Sequence, residues 1–326
     1  MDPLTHVVVG RAVIAALPDE RRLGRGAAVA AVLGALAPDV DVPVALAGWD
    51  RYLRVHEIGT HSIAGAALTA CAAAAVVRLW GRTGDRPGTD RGQTPMLLVA
   101  AALGGAMSHL ALDVASGARL RLGWPMLQVK VSLPLVAMAD PWIIGICAAG
   151  LLALWPGGLT MRTAARTVLG LAIGFLCLKG ALLERALSVA QLEPVRPRVI
   201  EARWGAVTEW YVFDRTPEAV RRWTIASRGG PATLSLSQPL PPESPLVTAS
   251  RSLDTVGNFL AVHEFGFADE RAGSPPRTLV LWTDLRYCEA GPVCGLWFGG
   301  EFGPDARALT QLVTVGEWIQ TRPPPP

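Results

Sequence analysis

Three stretches of the chain, residues 58–77, 92–112 and 141–161, contain no Lys, Arg, Asp or Glu. A helix that crosses a bilayer needs about 20 mostly apolar residues, and each stretch has that length. A further run at 163–187 carries Arg166, Lys179 and Glu184 near its ends. A short run covers 4–17, with Arg11 inside, and residues 26–38 and 42–49 are apolar pieces separated by Asp39 and Asp41. These first segments are short for full spans and are expected to be half-inserted or packed inside the bundle. Recurring apolar runs joined by short polar loops are the pattern of a polytopic α-helical membrane domain. The competing reading is a large soluble helical core, because alanine-rich runs such as Ala64–Val77 are only modestly hydrophobic. Composition weighs against it: charged residues make up 17% of the 326, where soluble domains carry about 25%, and the mean hydropathy is +0.33.

Loop charge sets an expected orientation. One set of loops holds Arg21, Arg22, Arg25, Arg78, Arg82, Arg86, Arg91, Arg162 and Arg166, and the opposite set holds Arg51, Arg54, Arg119, Arg121 and Lys130. With six crossings, the richer set is cytoplasmic in a bacterial-type inner membrane. The N-terminus, the loops 39–60 and 114–132 and the C-terminal region then face outward. The start, MDPLTHVVVG, lacks the basic segment of a cleavable signal, so the spans themselves are expected to direct insertion. The net charge of +3 and the scattered basic residues give no nucleic-acid footprint.

Composition changes near Glu193, where Pro194 and Pro197 mark a linker. The expected fold is mostly α: a helical transmembrane domain over 1–192, then a small soluble α+β domain over 193–326. Its structured part is expected over 198–320, followed by a disordered or polyproline-like Pro323–Pro326 tail. Trp204–Phe213, Thr278–Tyr287 and Gly295–Phe302 read as strands, and Pro217–Trp223 and Ser244–Leu260 as helices. Cys71, Cys147 and Cys177 sit in apolar runs, as small buried hydrophobes do. Cys288 and Cys294 enclose a polar turn, and they either pair in an oxidising compartment or stay free. No CxxC spacing points to a cysteine zinc site.

The chemistry-bearing residues are concentrated in the first 113 positions. His6, His56, His61 and His109 each stand at the polar end of an apolar run, with aspartates beside them. Asp2 and His6 are four apart, as are His109 and Asp113, which on a helix puts each pair on one face. Asp39 and Asp41 flank Val40 in a turn. Each residue alone also reads as a cap or an interfacial group. As a set on one side of the membrane, Asp2, His6, Asp39, Asp41, His56, His61, His109 and Asp113 form a candidate divalent-metal site. Imidazole with carboxylate suits zinc first, with manganese or iron as alternatives. Ionisable groups at membrane depth are costly and tend to be functional. Asp140 is either a further ligand or the cap of the helix that Pro141 opens. His263, far along the chain, reads as structural.

The order of these motifs resembles membrane-bound metal-dependent hydrolases of the YdjM/YbcI type. The matching stretches are Met1-Asp-Pro-Leu-Thr-His6, Pro38-Asp-Val-Asp41, His56 with Gly59-Thr-His61-Ser62, and His109-Leu-Ala-Leu-Asp113. Gly123-Trp-Pro125 and Asp140-Pro-Trp142 follow as later landmarks. The likeness spans roughly residues 1–145 in motif detail, and the C-terminal domain resembles an extension some members carry. Glu57 stands where the family often has Arg. The resemblance implies a hydrolase distantly akin to zinc-dependent phospholipase C and similar phosphoesterases, without naming a substrate.

The expectation is therefore a membrane-bound, divalent-metal-dependent hydrolase. It would act through a metal-activated water on a lipid or lipid-linked phosphoester, with membrane lipid as its surroundings. Glu57 or Asp41 would serve as general base. Thr5 and Thr60 would orient ligands. Arg51, Arg54, Arg119 and Arg121 would hold either a phosphate or lipid headgroups. Two other classes fit the same residues: a non-catalytic, metal-stabilised scaffold or regulatory protein, and a metal-ion or proton transporter. Oligomeric state is not legible.

Overall fold

A computed structural model describes the chain except residues 19, 57, 83–93, 154–158, 193–197, 241, 274, 291–292 and 326, and except the side chains at 20–23, 82 and 290. The linker expected around Glu193–Pro197 lies outside the described residues. The chain forms two compact units. One comprises Met1–Asp41, His56–Ser188 and Glu201–Trp210, and the other Val42–Val55, Val189–Ile200 and Tyr211–Pro326.

The first unit is helical. Its helices are α1 (Pro3–Ala15), α2 (Glu20–Leu36), α4 (Ile63–Arg82), α5 (Pro95–Ala115), α6 (Pro141–Leu152) and α7 (Met161–Val189); α3 (Trp49–Val55) belongs to the second unit. Capping residues fix the starts of α1, α5 and α6. Asp2, Thr94 and Asp140 accept backbone N–H groups, and Pro occupies the first turn each time. Asp140 thus serves as a cap: its Oδ1 accepts from Trp142 N at 2.9 Å.

Among the described residues, four helical stretches are long and apolar enough to cross a membrane: Gly24–Ala47, Ile63–Gly81, Pro95–Ala115 and Met161–Val189. The first run is short for a full span, as its sequence implies, and the 141–161 run is shorter in helix than in sequence. The helix described in the 141–161 run ends at Leu152, and α1 and α6 have 13 and 12 residues. At 1.5 Å per residue they reach only about 20 Å of a roughly 30 Å core. The two apolar pieces divided by Asp39 and Asp41 form one stretch of spanning length, because α2 continues directly into a 3-10 segment, Ala37–Ala47. Cys147 is buried as expected, but Cys71 and Cys177 are exposed on their helices.

α5 packs against α1, α2 and α4. Small residues make this possible. A Cβ at Gly34 would lie 2.1 Å from the Ala102 carbonyl oxygen, and one at Gly105 would lie 2.0 Å from that of Ala31. Apolar burial does not drive helices together within lipid, so such close backbone approach supplies the packing. On α7, Lys179 is fully buried. Its ammonium donates to the carbonyls of Ala206 and Val207 at 2.9 and 3.1 Å and lies over the Trp210 ring.

The second unit is β-rich. Strands β1 (Val199–Ala202), β2 (Glu209–Arg215), β3 (Ala219–Ala226) and β4 (Thr233–Pro239) form one sheet in sequence order. The other is antiparallel. Its strands are β5 (Gly266–Ala272), β6 (Thr278–Asp284), β9 (Leu296–Phe302), β10 (Ala308–Val315) and β11 (Trp318–Arg322), ordered β11-β10-β9-β6-β5. Short strands β7 (Cys288–Ala290) and β8 (Val293–Cys294) pair beside it, joined by a Cys288–Cys294 disulfide. Period-2 alternation gives the five-stranded sheet two buried faces. Phe267, Leu281 and Trp297 pack in one core with Phe213 and Val220 of the first sheet. Val280, Trp282 and Phe298 pack in another with Val256 and Phe259 of α9 (Asp254–Leu260) and Trp49 and Leu53 of α3.

The helices expected in Ser244–Leu260 are α8 (Pro245–Ser250) and α9. The helix expected at Pro217–Trp223 is instead the start of β3, because pairing with β4 and burial of Val220 override local propensity. The strand expected from Trp204 begins only at Glu209, and the one expected to Tyr287 ends at Asp284. The tail is tied at its root, where Gln311 Nε2 donates to the Pro323 carbonyl at 2.9 Å.

His263 is buried, and it is structural. Its ring stacks on Phe259, Nδ1–H donates to the Phe259 carbonyl at 3.0 Å, and Nε2 accepts from the Tyr287 hydroxyl at 2.7 Å. Burial pushes its pKa down to about 4, helped by nearby Arg286. It is therefore neutral when folded and gains a proton on unfolding below its unperturbed value of about 6.5. Stability present above that value is lost as pH falls towards 4, up to roughly 3 kcal/mol. The unfolding midpoint of this unit, followed by tryptophan fluorescence, should fall more steeply between pH 6.5 and 4 in wild type than in His263→Gln. Equal slopes would rule the assignment out.

Candidate metal centre

The centre lies at one end of the helical unit, where α1 and α4 begin and α5 ends. Asp2 spends both oxygens on capping: Oδ1 accepts Thr5 N–H at 2.9 Å and Oδ2 accepts the Thr5 hydroxyl at 2.7 Å. Thr5 therefore serves the cap. The cap fixes the first turn of α1 and points His6 inward with no exposed surface. His109 and Asp113, one turn apart on α5, both face inward, with Nε2 and Oδ2 3.0 Å apart. His109 Nδ1–H donates to the Ala35 carbonyl at 2.7 Å. Asp39 comes from the 3-10 segment, and His61 from the turn before α4.

Asp113 gathers the imidazoles. Its Oδ1 lies 3.3 Å from His6 Nε2 and accepts from the Met1 amino group; its Oδ2 lies 3.6 Å from His61 Nε2. Asp39 Oδ1 is 3.3 Å from His61 Nε2 and 3.7 Å from His109 Nε2. The His6 and His109 rings stack at 3.7 Å. Three overlapping groups result, His6–Asp39–His109, Asp39–His56–His61 and His61–His109–Asp113, with the ligand atoms of each within 4.8 Å of one another. Shared members join them into one cluster of four imidazoles and two carboxylates.

Asp41 stands behind this cluster. Its carboxylate faces His56 Nδ1 at 3.0 Å and accepts the Thr60 hydroxyl at 3.1 Å, and Thr60 Oγ1 in turn accepts His61 Nδ1–H at 3.1 Å. The chain from Asp41 through Thr60 sets the His61 tautomer, as the Ala35 carbonyl sets that of His109, so both present a lone pair at Nε2. Asp2 and Asp41 belong to none of the three groups. Glu57 lies outside the described residues. Arg51 and Arg54 are in the second unit, where Arg54 donates to Asn258 at 2.7 Å. Arg121 donates to Gln128 at 3.4 Å.

The donor set fits a divalent cation. Nδ1 of His6 is buried without a hydrogen-bond partner, a state that costs roughly 1–3 kcal/mol. His61 and His109 turn their Nε2 atoms towards each other at 3.2 Å. With both Nδ1 positions engaged, two lone pairs face across that gap, and a shared cation would relieve their repulsion. Nitrogen and oxygen donors without thiolate suit zinc, manganese or iron. His6, His61 and His109 have no exposed side-chain surface, whereas His56 and Asp39 have 19% and 22%. The cluster is reached from the His56–Asp39 side.

The Ala35 carbonyl was not legible as part of the site, since every residue carries one. The signal that could have found it is the small-residue spacing of Ala31, Gly34 and Ala35 against Ala102, Gly105 and Ala106, which marks a close crossing beside His109.

Apolar helices of spanning length, gathered around a buried His/Asp cluster that could hold a metal ion, define a polytopic helical membrane protein with a candidate metal centre. The YdjM inner membrane protein family matches residues 1–187, and the chain belongs to that family. No curated protein and no solved structure matches it.

Proposed function

We propose that the protein is a membrane-bound, divalent-metal-dependent hydrolase acting on a phosphoester of a lipid or lipid-linked molecule. The observation that carries this reading is the buried convergence of His6, His61, His109 and Asp113, with an accessible edge at Asp39 and His56. A purely structural site is closed, whereas a catalytic one keeps a position for water or substrate. A bound divalent ion supplies Lewis acidity, which makes water acidic near neutral pH and polarises a phosphoryl oxygen. The six cluster residues hold the ion, zinc first by donor chemistry. Asp41 orients His56 and, through Thr60, His61. Glu57, next to His56 in sequence, takes the proton from water, because Asp41 is already committed to two partners.

We assign the metal end to the outer face of the inner membrane. Arg166 Nε donates to the Ala16 carbonyl at 3.0 Å, which joins the starts and ends of α7 and α1 at the bundle's other end. Arg78 is near the C-terminal end of α4, away from His61, and Arg78 and Arg166 at the end opposite the cluster support that end as the cytoplasmic one. The Cys288–Cys294 disulfide supports an oxidising compartment for the second unit.

The test is a phosphodiesterase and phosphomonoesterase screen on purified protein in lipid nanodiscs, with metal quantified in parallel. Wild type should turn over a lipid phosphoester. Glu57→Gln should keep its metal and lose at least about 100-fold in kcat, the size typical of a lost general base. Bound metal with no turnover of any ester would overturn the hydrolase reading in favour of a scaffold.

A further inference from the structure

The connection between α5 and α6, residues 116–140, has 25 residues, far beyond the few that join packed helices. Its base is ordered against the ligand-bearing elements. Leu120 is fully buried in the helical core and exchanges backbone hydrogen bonds with Val131 at 3.0 and 2.8 Å. Leu133 N–H donates to the Val114 carbonyl, next to Asp113, at 2.8 Å. Ile63 N–H, two residues after His61, donates to the Leu122 carbonyl at 3.0 Å. From this base the tip is turned outward: every residue from Trp124 to Val131 is exposed. Five of those eight are large and apolar, with Met126 90%, Val129 68% and Leu127 62% exposed. Arg119 and Arg121 precede them and Lys130 lies among them.

A contiguous exposed apolar tip marks a surface that meets a protein or a membrane. Here the partner is set by continuity: the loop leaves the end of α5, a membrane-length apolar helix, at the level where that helix stops. Apolar side chains with basic ones next to them in sequence match the boundary between acyl chains and anionic headgroups. We propose that residues 121–131 form a bilayer-inserting loop, with Trp124, Met126, Leu127 and Val129 among the acyl chains and Arg119, Arg121 and Lys130 on lipid phosphates. Because its base is bonded beside Asp113 and His61, the loop holds anionic lipid headgroups next to the candidate metal centre. This inference needs the membrane placement of the chain but not its catalysis, so it survives if no ester is turned over.

The test is nitroxide labelling at Met126→Cys and Val129→Cys in a chain with Cys71, Cys147 and Cys177 replaced by alanine. The protein is reconstituted in nanodiscs of phosphatidylethanolamine and phosphatidylglycerol, and collisions with oxygen and with an aqueous nickel chelate are compared. Both labels should favour oxygen, falling between a label at Ile173, exposed in the middle of α7, and the free nitroxide in water. Raising the phosphatidylglycerol fraction should deepen the wild-type labels and leave unmoved those in a variant with Arg119, Arg121 and Lys130 all changed to Gln. A water-like ratio at Met126→Cys would overturn the proposal. So would shielding from both reagents with spin–spin broadening, which would show a second copy covering the tip.

Discussion

Asp113→Ala protein should leave purification with less than about a tenth of the metal that wild type carries. Asp113 lies close to His6, His61 and His109 at once, at 3.3, 3.6 and 3.0 Å. Its removal deletes a ligand and also the negative charge that makes a buried cluster of imidazoles favourable for a dication. Loss of a ligand's outer partner alone typically costs about 10–100-fold in metal affinity, and loss of the ligand itself should cost more. Metal-to-protein ratio by mass spectrometry, beside His61→Ala, reads the effect. Unchanged ratios in both variants would remove the site.

The second large effect should come from a residue that offers no ligand atom. In Gly105→Val the added Cβ would stand 2.0 Å from the Ala31 carbonyl oxygen and 2.7 Å from Ala35 N. Backbone cannot yield as a flexible side chain does, so α5 must move away from α2. Overpacking of this kind costs about 1–3 kcal/mol or more. The displacement also breaks the His109–Ala35 hydrogen bond one turn further along, so the imidazole loses its fixed tautomer. The variant should melt earlier in detergent and hold less metal than wild type. Gly174→Val on α7, where a Cβ meets nothing within 4 Å, should do neither. If the two variants behave alike, the crossing does not position the site.

These two cases show which parts of the site were legible in the sequence. His109 and Asp113 were readable together because a spacing of four has one meaning on a helix. Asp2 and His6 share that spacing, yet only His6 turns inward, since a carboxylate just ahead of Pro3 is worth more as a cap. Asp39 and Asp41 read alike, but the tight turn of the 3-10 segment sends them in different directions, one into the cluster and one behind it. The membrane domain and the β-rich second region were legible from charge-free runs and from the later composition. The strand at Ala219–Ala226 was not, because its conformation depends on pairing with β4. Nor was the number of full crossings, because α6 ends earlier than its apolar run.

The cluster should hold its metal by histidine and aspartate alone. X-ray absorption at the metal edge of the protein, purified with the metal it acquires in the cell, reads this ligand set. The predicted result is a first shell of nitrogen and oxygen with outer scattering from at least about three imidazoles, no sulfur, and loss of the imidazole signal in His109→Ala. A sulfur-containing shell, or protein that carries no divalent metal, would contradict it.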